Sequence, residues 1–440
     1  MQEKITIDRL THGDAGIGRT QDGRAIFVNQ TCPGDNVLVD NIIDKGNYCE
    51  GTLAEIITPS NNRVTPVCPY ASICGGCGWQ HVSYQAQLEA KRNDVVSQLT
   101  RVAHIPAHEV EALVTPCVAS KKEMGYRNKL EFGCTWDNKQ GFTMGLHKLG
   151  SHEMVTPDTC PLAHKAIAKA PKALRGALRY LQSTTDLGIY RVGIRHSDRT
   201  HATEVALWTN PGPFPRAQVA KTLESALKTT SIVRVMTADK GKARKLKGVE
   251  QLSGKGFWEE EICGNRFKVS APSFFQVNTH QAEKLVTIAL DQLAVYGDEF
   301  AVDLFCGVGT FTLPMARITE DVVGVEAYGS SVRDLRRACE DNKLEIEVIG
   351  GDATRELPEL GEIDALLVDP PRAGLSKEII SSIGKAAPSR MVYVSCNPST
   401  LARDIARLAE VGFKPVSVTP VDMFPQTYHV ETVVLLANTR

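Results

Sequence analysis

Apolar and polar positions alternate along the first part of the chain, in four short runs: 4–7, 24–28, 35–39 and 52–57. Period-two alternation predicts strands, and Gly13, Gly16, Gly18, Gly23 and Gly34 fall between them as expected turns. Short strands at this spacing predict a small β-barrel over 1–59. The polar stretch 59–62, Pro-Ser-Asn-Asn, reads as a linker.

The pattern then changes twice. Residues 60–270 show a polar helical period over 84–102. Strand-like runs follow, among them 129–133 and 189–194, with a helical insertion over about 163–182. From 271 onward strand and helix alternate. Strands are predicted at 300–304, 321–325, 345–349, 364–368, 390–395, 415–422 and 431–437. Helices are predicted at 278–294, 310–317, 330–342, 375–384 and 399–410. Such alternation favours a parallel sheet with helices on both faces. The expected fold is therefore α/β and Rossmann-like over 271–440. An α+β central segment (60–270) and the N-terminal barrel (1–59) precede it.

Composition narrows the function classes. The chain has 440 residues, 42% of them hydrophobic, enough for two or three cored domains. No run of 18 or more apolar residues occurs, so no membrane-spanning helix is expected. The first residues, Met-Gln-Glu-Lys-Ile, do not resemble a secretory signal, and the expected location is the cytoplasm. A net charge of −1 means that any RNA site must be a local patch. The densest basic run is 240–247, which by itself reads as a solvated loop.

Twelve cysteines are many for a cytosolic chain, where thiols serve as metal ligands or catalysts rather than as disulfides. Cys32, Cys49, Cys117, Cys134, Cys263 and Cys339 have no motif around them and read as small buried apolar residues. Cys68, Cys74 and Cys77 form Cys-x5-Cys-x2-Cys, and Cys160 is a candidate fourth thiolate. Spacing alone fits zinc or an iron–sulfur cluster, and His81 keeps open a zinc site of three thiolates and one imidazole.

Two segments of the last domain carry chemistry. Asp303-Leu-Phe-Cys-Gly-Val-Gly309 joins a predicted strand to a predicted helix. Its glycines let the backbone approach a ligand. Glu326 ends the next strand, where a carboxylate can accept from ribose hydroxyls. A dinucleotide site would use Gly-x-Gly-x-x-Gly, but residue 312 is Thr. Asp303 at the strand end repels a pyrophosphate and suits a cationic amino-acid group. Both points favour S-adenosylmethionine.

The second segment is Ser395-Cys396-Asn397-Pro398, after the strand-like 390–394. Asp369-Pro-Pro-Arg372 and Glu431 also fall at strand ends. A thiol adding to C6 of uracil would make C5 nucleophilic, and a carboxylate base would then take the C5 proton. Cys396 is the candidate nucleophile and Glu431 the candidate base. Cys306, inside the glycine loop, reads as packing.

These segments, with Ser273-Phe-Phe-Gln276-Val-Asn278 and Phe424-Pro425 to Glu431, resemble the RNA uracil-C5 methyltransferases of the RumA/TrmA type in order and spacing. The resemblance covers essentially the whole chain. It implies that Gln276, Phe305, Glu326 and Asp369 contact S-adenosylmethionine, that Cys396 attacks C6, and that Glu431 is the base. Thr310 stands where some relatives have Asn, and Asp352 is a candidate adenine contact. The same resemblance implies a 4Fe-4S cluster on Cys68, Cys74, Cys77 and Cys160, and a TRAM-type RNA-binding barrel.

A TRAM barrel together with a cysteine cluster resembles the 23S rRNA branch. The alternatives are a tRNA uracil-C5 methyltransferase and a non-catalytic RNA-binding or ribosome-assembly factor. No obligate protein partner is evident. Candidate phosphate contacts are Lys121, Lys122, Arg127, Lys129 and the 240–247 run. The target base must leave its stack to be reached. Phe275 and Phe424 are candidates to stack on it.

Overall fold

The computed structural model describes residues 2–139, 141–238 and 245–440. The chain forms two compact units. The first comprises 1–123, 370–384 and 392–440, and the second 124–369 and 385–391.

The first unit begins with a closed five-stranded barrel: Glu3–Leu10, Ala15–Arg19, Ala25–Asn29, Asn36–Asp44 and Tyr48–Thr58. Alternation sends Ile5, Ile7, Ile26, Val28, Val37, Val39 and Cys49 into its core. Gly16 and Gly18 are not turn residues. Both lie inside the Ala15–Arg19 strand, paired with Glu3–Leu10 and Ala25–Asn29. A Cβ on Gly18 would sit 2.4 Å from the Thr6 carbonyl oxygen. The glycines let two strands approach closely in a small barrel, and their low strand propensity hid this strand from the periodicity.

Residues 61–83 follow as turns, and then helices Tyr84–Arg101 and Ala107–Leu113. Later in the chain, this unit adds helices Lys377–Ala386 (as far as Gly384) and Pro398–Glu410 and the antiparallel hairpin Phe413–Val421/Glu431–Asn438. The Tyr84–Arg101 helix packs on the Pro398–Glu410 helix.

In the second unit a seven-stranded sheet runs in the order Lys245–Gly254, Ser231–Ala238, Thr203–Thr209, Ile189–His196, Lys129–Asp137, Gly141–His147, Met154–Val155. Helices Ala170–Leu181 and Arg216–Ala226 bury Leu174, Leu178, Val219 and Leu223 in its core. The expected helical insertion is thus present, starting later than its apolar spacing predicts.

The same unit holds four parallel strands in the order Glu347–Gly350, Val322–Glu326, Ala301–Leu304, Ala365–Val368. The chain steps outward from Ala301–Leu304 and then returns to its other side. That reversal opens a crevice at the carboxyl ends of Ala301–Leu304 and Ala365–Val368, the usual ligand position in such sheets.

Candidate functional site

Asp303 lies next to the end of the Ala301–Leu304 strand and is fully buried. Thr312 Oγ1 donates to its Oδ2 at 2.6 Å, while Oδ1 is buried without a hydrogen-bond partner. Burial, followed by the nearby Asp369 and Glu326 charges, pushes its carboxyl up to about 8. Asp369, at the end of the neighbouring strand, is pushed up to about 7 by burial. The structure therefore brings the buried Asp303 and Glu326 and the partly exposed Asp369 together as an acidic crevice. An orphaned carboxylate oxygen in such a crevice suits a cationic donor.

Local backbone shape makes the loop. Phe305 holds φ +64° without being glycine, and Gly307 and Gly309 hold +58° and +92°. A Cβ on Gly309 would lie 2.4 Å from both Leu313 and Leu335 methyls. Glu326 Oε2 accepts from the Gly307 N–H (2.9 Å) and Oε1 from the Tyr328 N–H (2.7 Å). Each oxygen keeps a lone pair for a ribose hydroxyl. Cys306 is buried, which drives its thiol well above the ordinary value and fits a packing residue. Asp352 caps the Ala353–Glu356 turn by accepting from the Thr354 N–H at 2.8 Å.

Gln276 is buried in a segment pinned from two sides. Asn128 Nδ2 donates to the Gln276 carbonyl (2.9 Å) and to Thr279 Oγ1 (3.1 Å). Asp334 accepts from the Ser270 N–H (2.8 Å) and from the Ser270 and Ser273 hydroxyls (2.6 Å each). Neither support was legible beforehand. Asn128 immediately precedes the predicted 129–133 strand, and its partner is far along the chain. Asp334 falls within the predicted 330–342 helix, and its partners Ser270 and Ser273 lie far back along the chain. Phe275 is not available for stacking on a base, because it packs edge-on against Trp258 and Phe267 in the core. Its neighbour Phe274 is 67% exposed.

In the first unit Cys396 follows the Arg390–Ser395 strand and precedes Asn397, the N-cap of Pro398–Glu410. Asn397 accepts from the Ser399 N–H at 3.0 Å, and Pro398 fixes the first helical turn. A thiol at a helix N-terminus has its thiolate stabilised by the helix dipole. Asn397 Nδ2 and Thr400 Oγ1 both donate to the Arg372 carbonyl, at 3.5 and 3.2 Å. Within the first unit Arg372 is thereby tied to the segment that follows Cys396. Glu431 is buried at the start of its strand, in register with Val421 across the hairpin.

Cys68, Cys74 and Cys77 are partly exposed, outside any disulfide, on the 61–83 turns. Cys160 is free and belongs to the second unit. Among the described residues no group of three or more His, Cys, Asp or Glu side chains is arranged to hold a metal ion. His81 is buried with Nε2 3.0 Å from the Thr31 carbonyl, which takes that nitrogen out of ligation. Of the unmotified cysteines, Cys32, Cys49, Cys134 and Cys339 are buried, and Cys117 and Cys263 partly so.

Lys121 and Lys122 are exposed, and Arg127 is partly buried. Lys129 is engaged by Glu131 at 3.2 Å. Of the basic run, Lys240–Arg244 lies outside the described residues, and Lys245–Lys247 opens a strand with exposed side chains. No helix among the described residues is long and apolar enough to cross a membrane.

The family model described as tRNA (uracil-5-)-methyltransferase matches residues 259–439, and the TRAM domain model matches 3–54. An RNA methyltransferase of Thermosynechococcus vestitus is 36% identical, over 99% of this chain and 98% of its own. One from Listeria monocytogenes is 34% identical over 98% and 97%. The crystal structure of Pyrococcus abyssi tRNA (uracil-54, C5)-methyltransferase, in complex with S-adenosyl-L-homocysteine, superposes with a TM-score of 0.75. It is 24% identical and covers 98% of this chain and 99% of its own. The fold is therefore that of an S-adenosylmethionine-dependent methyltransferase preceded by a TRAM barrel. On the full-length similarity to these relatives and the matched models, the chain belongs to the RNA uracil-C5 methyltransferase family.

Proposed function

We propose that this enzyme methylates C5 of a uridine in 23S rRNA with S-adenosylmethionine, through a covalent bond between Cys396 and C6. The observation that carries the cofactor assignment is the buried, unpartnered Asp303 Oδ1 in an acidic crevice, a seat for the methionine ammonium. Gln276, Phe305, Glu326 and Asp369 complete the contacts.

The chemistry balances without a further reactant. The Cys396 thiolate bonds to C6, and the electron pair moves onto C5 and its carbonyl. C5 takes the methyl group as the methyl–sulfonium bond breaks and S-adenosylhomocysteine leaves. Glu431 accepts the C5 proton, the C6–S bond breaks, and the thiolate is restored.

Support for ribosomal RNA is the co-occurrence of the TRAM barrel with the cysteine-bearing segment. We retain the division into an RNA-binding 1–59, a central 60–270 and a catalytic 271–440, and a cytoplasmic location. Full-length protein incubated with 5-fluorouridine-substituted 23S rRNA and S-adenosylmethionine should form a denaturant-stable adduct, because fluorine at C5 cannot be removed as a proton. Capture on tRNA alone would move the substrate. Capture on neither RNA would favour the non-catalytic alternative.

Cys68, Cys74, Cys77 and Cys160 are the proposed ligands of a 4Fe-4S cluster. Support is donor chemistry: four thiols outside any disulfide, three of them on a stretch without helix or extended strand. When bound, the cluster would tie loops together, since methyl transfer needs no electrons. Anaerobically purified protein should contain about four iron and four sulfide per chain. Stoichiometric zinc instead would overturn the assignment.

Cofactor binding should depend on pH. Folding raises the Asp303 and Asp369 carboxyls from 3.8 to about 8 and about 7, so their ionised forms are costly. The unliganded protein therefore loses stability as pH rises from the unfolded value through those windows. A cationic ligand lowers both values and expels protons. Calorimetry near neutral pH in buffers of different ionisation enthalpy should show proton release on binding, with affinity rising from about pH 6 to about pH 7.5. Unchanged affinity across that range would remove Asp303 as the ammonium seat.

A further inference from the structure

We propose that Gln87 and Lys91, on the Tyr84–Arg101 helix, are positioning residues for Glu431. The inference rests on Glu431 being the base, as above. Both lie in the first unit, on one face of the helix at i and i+4.

Glu431 opens the second leg of the Phe413–Val421/Glu431–Asn438 hairpin, directly across from Val421. Asp422 is the next residue after Val421 and is fully buried. It pairs with the equally buried Lys91 Nζ and accepts from the Tyr84 hydroxyl (2.8 Å) and the Phe424 N–H (3.1 Å). Lys91 Nζ also donates to the Phe424 carbonyl at 3.1 Å. This fixes the loop where it leaves the first leg.

Gln87 fixes the middle of the loop. Its Oε1 accepts from the Gln426 N–H (2.8 Å), and its Nε2 lies 3.1 Å from Gln426 Oε1, 3.2 Å from the Trp79 carbonyl and 2.9 Å from the Val82 carbonyl. The Trp79 N–H donates to the Gln426 carbonyl at 3.1 Å. Gln426 itself holds φ +71°, a shape that a non-glycine residue keeps only when its surroundings impose it. From Gln426 the chain reaches Glu431 in five residues, with Val430 fully buried between them.

A buried ion pair is a poor stabiliser compared with apolar packing and is best explained by what it specifies. Here it specifies loop geometry and the hairpin end from which Glu431 projects. The contacts reach across more than 330 residues of sequence and converge on the loop at 422, 424 and 426.

The test is single-turnover reaction of the full chain with unmodified RNA and methyl-labelled S-adenosylmethionine, comparing Gln87→Leu with Glu431→Gln. Label entering RNA reports methyl transfer, and decay of the labelled protein–RNA adduct reports removal of the C5 proton. Gln87→Leu should transfer methyl at near the unsubstituted rate while its adduct decays about tenfold to a hundredfold more slowly, as expected for a displaced base. Gln87→Glu keeps the acceptor for the Gln426 N–H. Its adduct should decay at a rate between those of the unsubstituted protein and Gln87→Leu, and it carries the test if Gln87→Leu does not fold. Adduct decay at the unsubstituted rate, or equal slowing of both steps, would overturn the proposal and leave the base assignment standing if Glu431→Gln accumulates adduct. If Glu431→Gln itself accumulates none, the base assignment falls and the positioning role with it.

Discussion

Cys396→Ala is expected to abolish adduct formation with 5-fluorouridine RNA and to lower methyl transfer by at least about 10⁴-fold. Uracil C5 is too weak a nucleophile to attack a sulfonium methyl without prior addition at C6. The thiol of the glycine loop cannot substitute. Cys306 is buried and its thiol is driven well above its ordinary value, whereas Cys396 is partly exposed at the head of a helix. The substitution should leave cofactor affinity unchanged, because Cys396 is not among the proposed cofactor contacts. Equilibrium binding of S-adenosylmethionine beside a methyl-incorporation assay checks both halves. Activity within tenfold of the unsubstituted protein would sink the covalent route.

Glu431→Gln should give the opposite phenotype on the adduct. In the proposed mechanism bond formation and methyl transfer precede proton removal, so the variant should stall after methylation and the protein–RNA complex should accumulate on natural uridine. Multiple turnover should fall by about a thousandfold while one methyl per enzyme still transfers. Glutamine preserves the shape of a buried side chain, which limits the structural cost at this position. Denaturing electrophoresis of a labelled RNA substrate reads the outcome. Free methylated RNA appearing at the unsubstituted rate would take Glu431 out of the mechanism.

Much of the catalytic half was legible because its signals are local. The predicted strands at 300–304, 364–368 and 390–395 appear as Ala301–Leu304, Ala365–Val368 and Arg390–Ser395. Buried parallel strands are continuous apolar runs, and their ends are marked by Asp, Gly, Asn and Pro. The helix after Cys396 was legible from Asn397-Pro398, since a cap and a proline at the first turn are sequence signals. The Ala15–Arg19 strand was hidden because Gly16 and Gly18 lack the side chains that make alternation visible.

Burial reversed two readings. Phe275 sits between Trp258 and Phe267 rather than open to a base, and Lys129 is paired with Glu131 rather than free for phosphate. Each depends on a neighbour brought in by the fold, which periodicity cannot name.

The sequence by itself determined the elements and the reactive residue types, because backbone preference, capping and apolar period act over a few neighbouring residues. Tertiary structure alone decided which charges meet and how dry they are. Asp303 has an unpartnered oxygen and a raised carboxyl only because three strand ends converge on it. The supports from Asn128, Asp334, Gln87 and Lys91 likewise come from pairings across long stretches of chain. Desolvation and hydrogen bonding are properties of assembled space, and no local pattern encodes them.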